Sequence, residues 1–505
     1  MIKNKTILTA VLSVASSLSM LQAQSLRNES YTYIINTDSI QTANESRDPV
    51  VVISQEQYDA LLSRIERLEQ KEMETPDAYT GATVLPSDKD SAKTKKTQNF
   101  YSSAEDEPFE KFRFGGYGEL LFQYMDYSPN RLSGSGKGAA YNPRAEVSMP
   151  RFVLAFDYKF GKGWELGAEI EFEYGGTGAG VEAEYGEGIE YEYEFEKGGE
   201  VALEQFHITK TFNRYARLRM GHIIVPVGIT NAHHEPINFF GTTRPEGEST
   251  LIPCTWHETG ISFLGSAEIN KHVIGYELML VSGLDPYAFS SSNWIQDGSQ
   301  KKFELTHFTN PAIAARLEYS TPFGLRIGAS GYYGPRTADN TANTNTTHGY
   351  DINGAVGIAS ADLQYMAYNV TVRANFLYGW VQDADKINRL RPNSVLGYEG
   401  TPVASNAISY FVEAGYDIAG ACGQKWSIIP FLRYEHYNSM LNPPAGTAAD
   451  PRYNISLLTA GINYRPLPNL VVKADYTYRM VDWGNYRPEQ TVSLGVAFVG
   501  WFISK

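Results

Sequence analysis

From residue 112 to the C-terminus, apolar and polar positions alternate with a period of two, the spacing of an extended strand with one face in an apolar medium. In "GWELGAEIEFEY", Trp164, Leu166, Ala168, Ile170, Phe172 and Tyr174 share one face, while Glu165, Glu169, Glu171 and Glu173 share the other. Sixteen segments follow this rule: 112–127, 145–160, 163–174, 200–212, 215–224, 257–269, 271–282, 311–320, 323–334, 354–367, 369–381, 406–418, 425–438, 453–465, 469–482 and 489–502. Short connections such as "GKG" at 161, "NK" at 270 and "YN" at 368 alternate with mostly longer ones, the longest running 32 residues from Val225 to Trp256. Alternating connection lengths, with aromatic rings at both ends of the apolar face, are what a transmembrane β-barrel with both termini on the periplasmic side requires. The pattern predicts an all-β fold, a sixteen-stranded antiparallel transmembrane β-barrel over residues 112–505.

Residues 1–111 are of another kind. Lys3 and Lys5, the uncharged run Ile7 to Leu21 and then Leu21-Gln22-Ala23 read as a signal peptide over 1–23, cleaved after Ala23. Residues 24–111 form a periplasmic N-terminal segment. Within it, 55–74 places Tyr58, Leu61, Leu62, Ile65 and Leu68 on one helical stripe. A solitary amphipathic helix and a short helix bundle both fit that stripe.

Composition sharpens the membrane reading. The chain has 34 Tyr, 24 Phe and 7 Trp, yet after the leader it holds no apolar run long enough to span a bilayer as a helix. A barrel hides from a hydropathy average because only alternate residues meet lipid. With 43 Lys+Arg against 57 Asp+Glu, the chain lacks the basic excess that binding to nucleic acid needs. No Ser-His-Asp set or equivalent emerges from the spacing, and no cofactor motif is present, so an enzyme is not expected. The two cysteines, Cys254 and Cys422, fall at opposite ends of the expected barrel, too far apart for a disulfide.

The candidate chemistry is concentrated after the fifth strand. "PVGITNAHHEP" sets His233, His234 and Glu235 side by side between prolines. Adjacent histidines in an extended segment point opposite ways, so at most one can join Glu235 on a given ion, and no third or fourth ligand stands at metal spacing. The whole stretch "GHIIVPVGITNAHHEPINFFGTTRPEGESTLIPCTWHETGISFLG" resembles the corresponding part of bacterial outer-membrane porins in the superfamily that includes the phosphate-selective porins O and P. The resemblance rests on Gly-His-x-x-x-Pro-Val-Gly at 221–228, His234-Glu235-Pro236, Arg244-Pro245, and Ile252-Pro253 followed by Thr255-Trp256-x-Glu258-x-Gly260. It implies a homotrimeric passive diffusion channel in the outer-membrane lipid for small hydrophilic solutes or ions, narrowed by loop 3 (225–256) folding into the lumen. The constriction would then be carried by His233, His234, Glu235, Arg244, Glu246, Glu248, Trp256 and Glu258, with Pro226, Pro236, Pro245 and Pro253 fixing the path. Free imidazoles there would titrate at pH 6–7.

Assigning the aromatic parity to lipid turns basic and acidic side chains alike into the lumen, with acids slightly in excess. Arg217 and Arg219 stand two strands from the Glu169, Glu171, Glu173 row; they either create a field across the pore or pair with neighbouring acids. Phosphate selectivity therefore does not travel with the resemblance. The second loop alternates Glu190, Glu192, Glu194 and Glu196 with aromatics, either a surface site for divalent cations or a hairpin extending the third and fourth strands. A surface-exposed adhesive or structural barrel with a blocked lumen is the competing function, and it would account for that acidic loop.

Overall fold

The computed structural model describes residues 32–35, 50–53 and 109–505, apart from 132–137, 177–180, 186–190, 196–198, 300–305, 307, 338–352 and 391–400. The N-terminal unit, Met1–Tyr79, contains two short parallel strands, Thr32–Ile35 and Val50–Ile53. The expected leader at 1–23 and helix at 55–74 lie outside the described residues.

The second unit is a closed antiparallel barrel of sixteen staves. In chain order they are β1 (Phe112–Tyr127), β2 (Tyr141–Ser148 continued by Arg151–Gly161), β3 (Trp164–Glu173), β4 (Glu200–Asn213), β5 (Ala216–Ile224), β6 (His257–Ile269), β7 (His272–Val281) and β8 (Ala312–Ser320). The other half comprises β9 (Leu325–Gly334), β10 (Val356–Ala367), β11 (Val370–Val381), β12 (Asn406–Tyr416), β13 (Ser427–Asn442), β14 (Asn454–Leu467), β15 (Leu470–Val481) and β16 (Glu489–Ser504). Among the described residues of the connections, four short α-helices occur: α1 (Ile229–Ala232), α2 (Glu246–Leu251), α3 (Ala384–Leu390) and α4 (Ile418–Ala421).

The expected strands are all present. Stave β2 differs most: it starts at Tyr141 and breaks at Met149-Pro150, because proline has no N–H to give the ladder. Stave β1 pairs with the outer half of β2 through Leu121↔Ser148 and with the inner half through Gly118↔Phe152. At the short end, Asn270 and Lys271, and likewise Tyr368 and Asn369, both take positive φ, the turn whose twist matches two-residue hairpins. The ring closes where β16 meets β1, from Thr491↔Met125 to Ser504↔Arg113.

Leu278, Leu317, Leu432 and Leu494, in four separate staves, each expose more than half of their surface on the outside of the wall. Rings flank this band, with Phe160, Phe212 and Tyr416 at the short-turn end and Tyr124, Tyr333 and Trp380 at the other. A continuous apolar belt between aromatic girdles is stable only in lipid.

The inside is less uniform than strict alternation implies. Near the outer rim, Met279, Val281, Tyr332, Ile358 and Leu377 point inward and are covered by Leu284, Phe289, Trp294 and Ile295 of the β7–β8 connection and by Ile387 of α3. Gly379 makes room for Trp294: a Cβ there would lie 2.0 Å from the indole. The indole Nε1 donates to the carbonyl of Ala404 at 3.2 Å. One side of the outer lumen is thus an apolar core.

The acidic second loop contains a hairpin, Val181–Tyr185 paired with Tyr191–Phe195, as a two-stranded sheet separate from the barrel. It does not extend the ladder of β3 and β4, and Glu190 and Glu196 lie outside the described residues.

Candidate functional site

The connection from β5 to β6 leaves and re-enters the wall at one point, where the amide of Val225 donates to the carbonyl of Trp256 at 2.9 Å. Between these residues the chain is hydrogen-bonded to inward side chains from β2, β9, β11, β13, β14 and β15. A segment that touches staves around most of the ring lies within it.

The sequence turns this segment inward by local means. Gly228 has φ 83°, and a Cβ there would fall 2.2 Å from Glu248 Oε1, so the turn into α1 suits only glycine. That carboxylate caps α1: Oε1 accepts from the amides of Thr230 (2.9 Å) and Asn231 (3.0 Å), and Oε2 accepts from Asn375 Nδ2 at 2.7 Å. Asn231 in turn accepts from the amide of Trp256 at 2.6 Å and donates to the carbonyl of Val225 at 2.6 Å. Buried loop backbone without a ladder needs such partners.

On the far wall the partners are cationic. Lys473 Nζ donates to the carbonyls of Pro236 (2.5 Å), Phe239 (2.8 Å) and Gly241 (2.8 Å); Arg465 donates to that of Ile237 (2.7 Å) and Asn463 to that of Phe240 (2.8 Å). Apolar side chains seat the same turn, Ile237 among Tyr117, Val153 and Val471, and Phe240 stacked on Phe431 at 5.3 Å. Glu246 fastens the return path: its Oε1 accepts from Arg479 Nε at 2.8 Å and from the Tyr437 hydroxyl at 2.6 Å.

Each expected constriction residue can now be placed. Arg244 bonds the carbonyls of Cys254 and His234, joining the two limbs of the loop. Glu235 accepts from Asn238 at 2.5 Å, Trp256 packs on Tyr332 at 4.8 Å, and Glu258, buried on β6, accepts from Ser282 at 2.6 Å. His234 is buried against Tyr117, its Nδ1 3.2 Å from the carbonyl of Asn231. Burial lowers the imidazole of His234 to about 4 and, with Arg326 and Arg316 facing it, drives that of His233 well below its ordinary value. Both are neutral at pH 6–7, contrary to the titration expected of free imidazoles. Burial raises Glu248 to about 7, while Arg479 and Arg131 outweigh burial at Glu246 and hold it at about 2.

Most inward charges pair across the ladder. Arg113 meets Asp157 at 2.6 Å, Arg151 meets Glu119 at 2.9 Å, Arg316 meets Asp362 at 2.8 Å, and Arg373 meets Glu413 at 2.7 Å. The row on β3 and the pair on β5 are different. Glu169, Glu173, Arg217 and Arg219 stay partly exposed, and only Glu171 of this group is buried. Arg219 donates to Thr209 at 3.3 Å and Gln205 donates to Glu169 at 2.9 Å, so β4, about 5 Å from each neighbour, separates the two signs.

Sequence reasoning did not single out Asn231, Lys473 and Arg465 as loop partners, nor Ile237 and Phe240 as anchors. The "INFF" run at 237–240 was the available signal, four residues with three large apolar side chains in a loop.

No family model matches the chain. It is 26% identical over 365 residues to an uncharacterized protein of Aquifex aeolicus (strain VF5), covering 72% of this chain and 74% of the relative. Similar solved structures include the outer membrane channel DcaP of Acinetobacter baumannii (13% identity, TM-score 0.46, 77% of this chain and 96% of that one). Salmonella typhi OmpF in complex with daunomycin has 12% identity and a TM-score of 0.45 over 76% of this chain and 97% of that one. An anion-selective porin from Comamonas acidovorans has 10% identity and a TM-score of 0.43 over 77% and 99%. The fold is an outer-membrane β-barrel. That conclusion rests on the closed ladder and its apolar belt, and it puts the polar contacts of Val225–Trp256 within the barrel rather than at a protein surface.

Proposed function

We propose that the protein is a passive diffusion channel of the outer membrane for small hydrophilic solutes or ions, narrowed by the segment 225–256. The observation that carries this reading is the strip of partly exposed charge on β3 and β5, Glu169 and Glu173 separated by one stave from Arg217 and Arg219, which stays in contact with solvent beside the loop. A sealed structural barrel has no use for unburied charges of both signs on its inner wall, whereas a water path needs them. The constriction is then the loop's backbone turn and its polar anchors, with His233 and His234 acting as neutral lining. Membership of the superfamily that includes the phosphate-selective porins O and P is part of this proposal, as is the homotrimer. Phosphate preference is not, because most inward guanidiniums are already paired with carboxylates.

One observation favours the competing reading, an adhesive or structural barrel with a blocked lumen: the apolar core that fills part of the outer rim around Trp294. Single-channel recording in planar bilayers separates the two. Stepwise conductance from the folded full-length protein is expected, and its absence at every salt concentration would refute the channel.

A further inference from the structure

We propose that Glu169, Glu204 and His234 form a binding site for one borderline divalent metal ion of the zinc class where the inward loop meets the wall. One donor atom from each lies within 4.8 Å of the others. Stave β4 carries a bulge between the pairs Glu169↔Gln205 and Ile170↔Leu203, and the extra residue is Glu204. The bulge swings that carboxylate inward, where it is wholly buried.

The decisive feature is a pair of facing, unpartnered polar atoms. His234 Nδ1 lies 3.2 Å from the carbonyl of Asn231, an acceptor only, so Nδ1 carries a proton and Nε2 is the ring nitrogen left to bind a metal. That Nε2 points at Glu204 Oε1 at 3.8 Å. Neither atom has a hydrogen-bond partner among the described residues, and both residues are more than nine-tenths buried. A buried carboxylate oxygen and a ring nitrogen so placed are both satisfied by a cation between them. A backbone carbonyl behind Nδ1 is also the support that orients metal-bound histidines.

The surroundings fit. Tyr117 donates to the other oxygen of Glu204 at 3.2 Å, and Gln205 donates to Glu169 Oε2 at 2.9 Å, so the carboxylates are held from behind. Of the nearby guanidiniums, Arg151 bonds Glu119 and Arg244 bonds Thr255 through Nη2. One nitrogen and two carboxylates suit zinc and its neighbours rather than calcium, which takes six or more oxygens. With bonds of about 2.1 Å, tetrahedral ligand atoms sit about 3.4 Å apart, so donors now within 4.8 Å of one another close by at most about 1.4 Å.

The test is equilibrium dialysis of the full-length barrel, folded in detergent, against Zn²⁺, with metal counted per chain. Heat-modifiable gel mobility verifies the barrel in every sample. One ion per chain is expected in the wild type and in H272A, which removes a histidine from a distant turn. Glu204→Gln and His234→Gln are each expected to weaken binding at least about tenfold. Glu169→Gln, at a partly exposed position, keeps the fold even if the buried variants do not, and is expected to show the same loss. Substoichiometric binding by the wild type, or unchanged affinity in E169Q and E204Q, overturns the assignment. The readout is bound metal, so the result stands apart from whether the barrel conducts.

Discussion

Glu246 and Glu248, two residues apart on α2, serve opposite purposes and respond oppositely to protons. Glu246 is an ion-pair anchor: it meets Arg479 at 2.8 Å and Arg131 at 3.3 Å. Glu246→Ala leaves Arg479 with the carboxylate of Glu489 and the Tyr437 hydroxyl, and the loss is set at roughly 2 kcal/mol, below the ~3–5 kcal/mol of a fully buried pair because Glu246 keeps contact with water. Amides of 246–251 should then exchange about 30-fold faster while those of β13 are unchanged, and equal rates in α2 would show that Arg479 does not hold the loop. Glu248 has its carboxyl raised to about 7 by burial, above the ordinary value of 4.5. The folded loop therefore keeps this proton longer than the unfolded chain does. The stabilisation is complete below about pH 4.5, declines as pH rises, and is gone above about 7. After correction for intrinsic rates, exchange at Thr230 and Asn231 should speed up between pH 5 and 8 in the wild type and stay flat in Glu248→Gln. A slope that persists in the variant would place the proton elsewhere.

At the scale of elements, alternation read the wall and missed what fills it. Period two fixes which side chains face lipid, so "GWELGAEIEFEY" gave both faces of β3 from residues alone. Glu204 was invisible to the same reading, since a bulge inserts one residue and local parity cannot show where. Trp294 was missed for another reason: a connection is assumed to meet water, and nothing local says that its ring will pack over Gly379. Gly379→Val tests that contact, because the new side chain would occupy the indole's place. The barrel should still assemble, since the ladder Gly379↔Ala407 is main-chain, but Trp294 should leave its pocket and its fluorescence shift to the red. An unshifted spectrum would mean that the wall yields instead. The last strand adds a second test. Phe502 sits at the bulge opposite Gly115 and Phe114, exposed towards lipid, and Lys505 accepts from the amides of Lys111 (2.6 Å) and Phe112 (2.8 Å). Phe502→Ala should lower the yield of folded barrel through its lost apolar surface. Removing Ser504 and Lys505 costs several closing hydrogen bonds and should lower the thermal midpoint without abolishing assembly; complete loss of folded barrel on that truncation would show that the free terminus is itself required.

Across the whole molecule, the inner loop and the wall share one charge balance. Lys473 and Arg465 give donors to loop carbonyls, and Arg433 adds a bond to the carbonyl of Thr243. The far wall therefore hides these cations from water only while the loop is present. The strands bearing these cations are held by ladders that do not involve 225–256, for example Asn463↔Lys473 and Glu413↔Arg433. Excising 226–255 and joining its ends by a short glycine linker should thus leave the barrel assembled and widen the water path. It also removes the acids Glu246 and Glu248, which frees Arg479 in part. Conductance per channel should rise, and reversal potentials in a salt gradient should move towards anions, because Lys473 and Arg465 now face the lumen. The intact chain, whose exposed strip on β3 and β5 carries both signs, should discriminate less. A larger conductance without the shift to anions would mean that the wall cations find new carboxylates once the loop is gone. An unchanged conductance would place the water path elsewhere and remove the loop from any role in narrowing it.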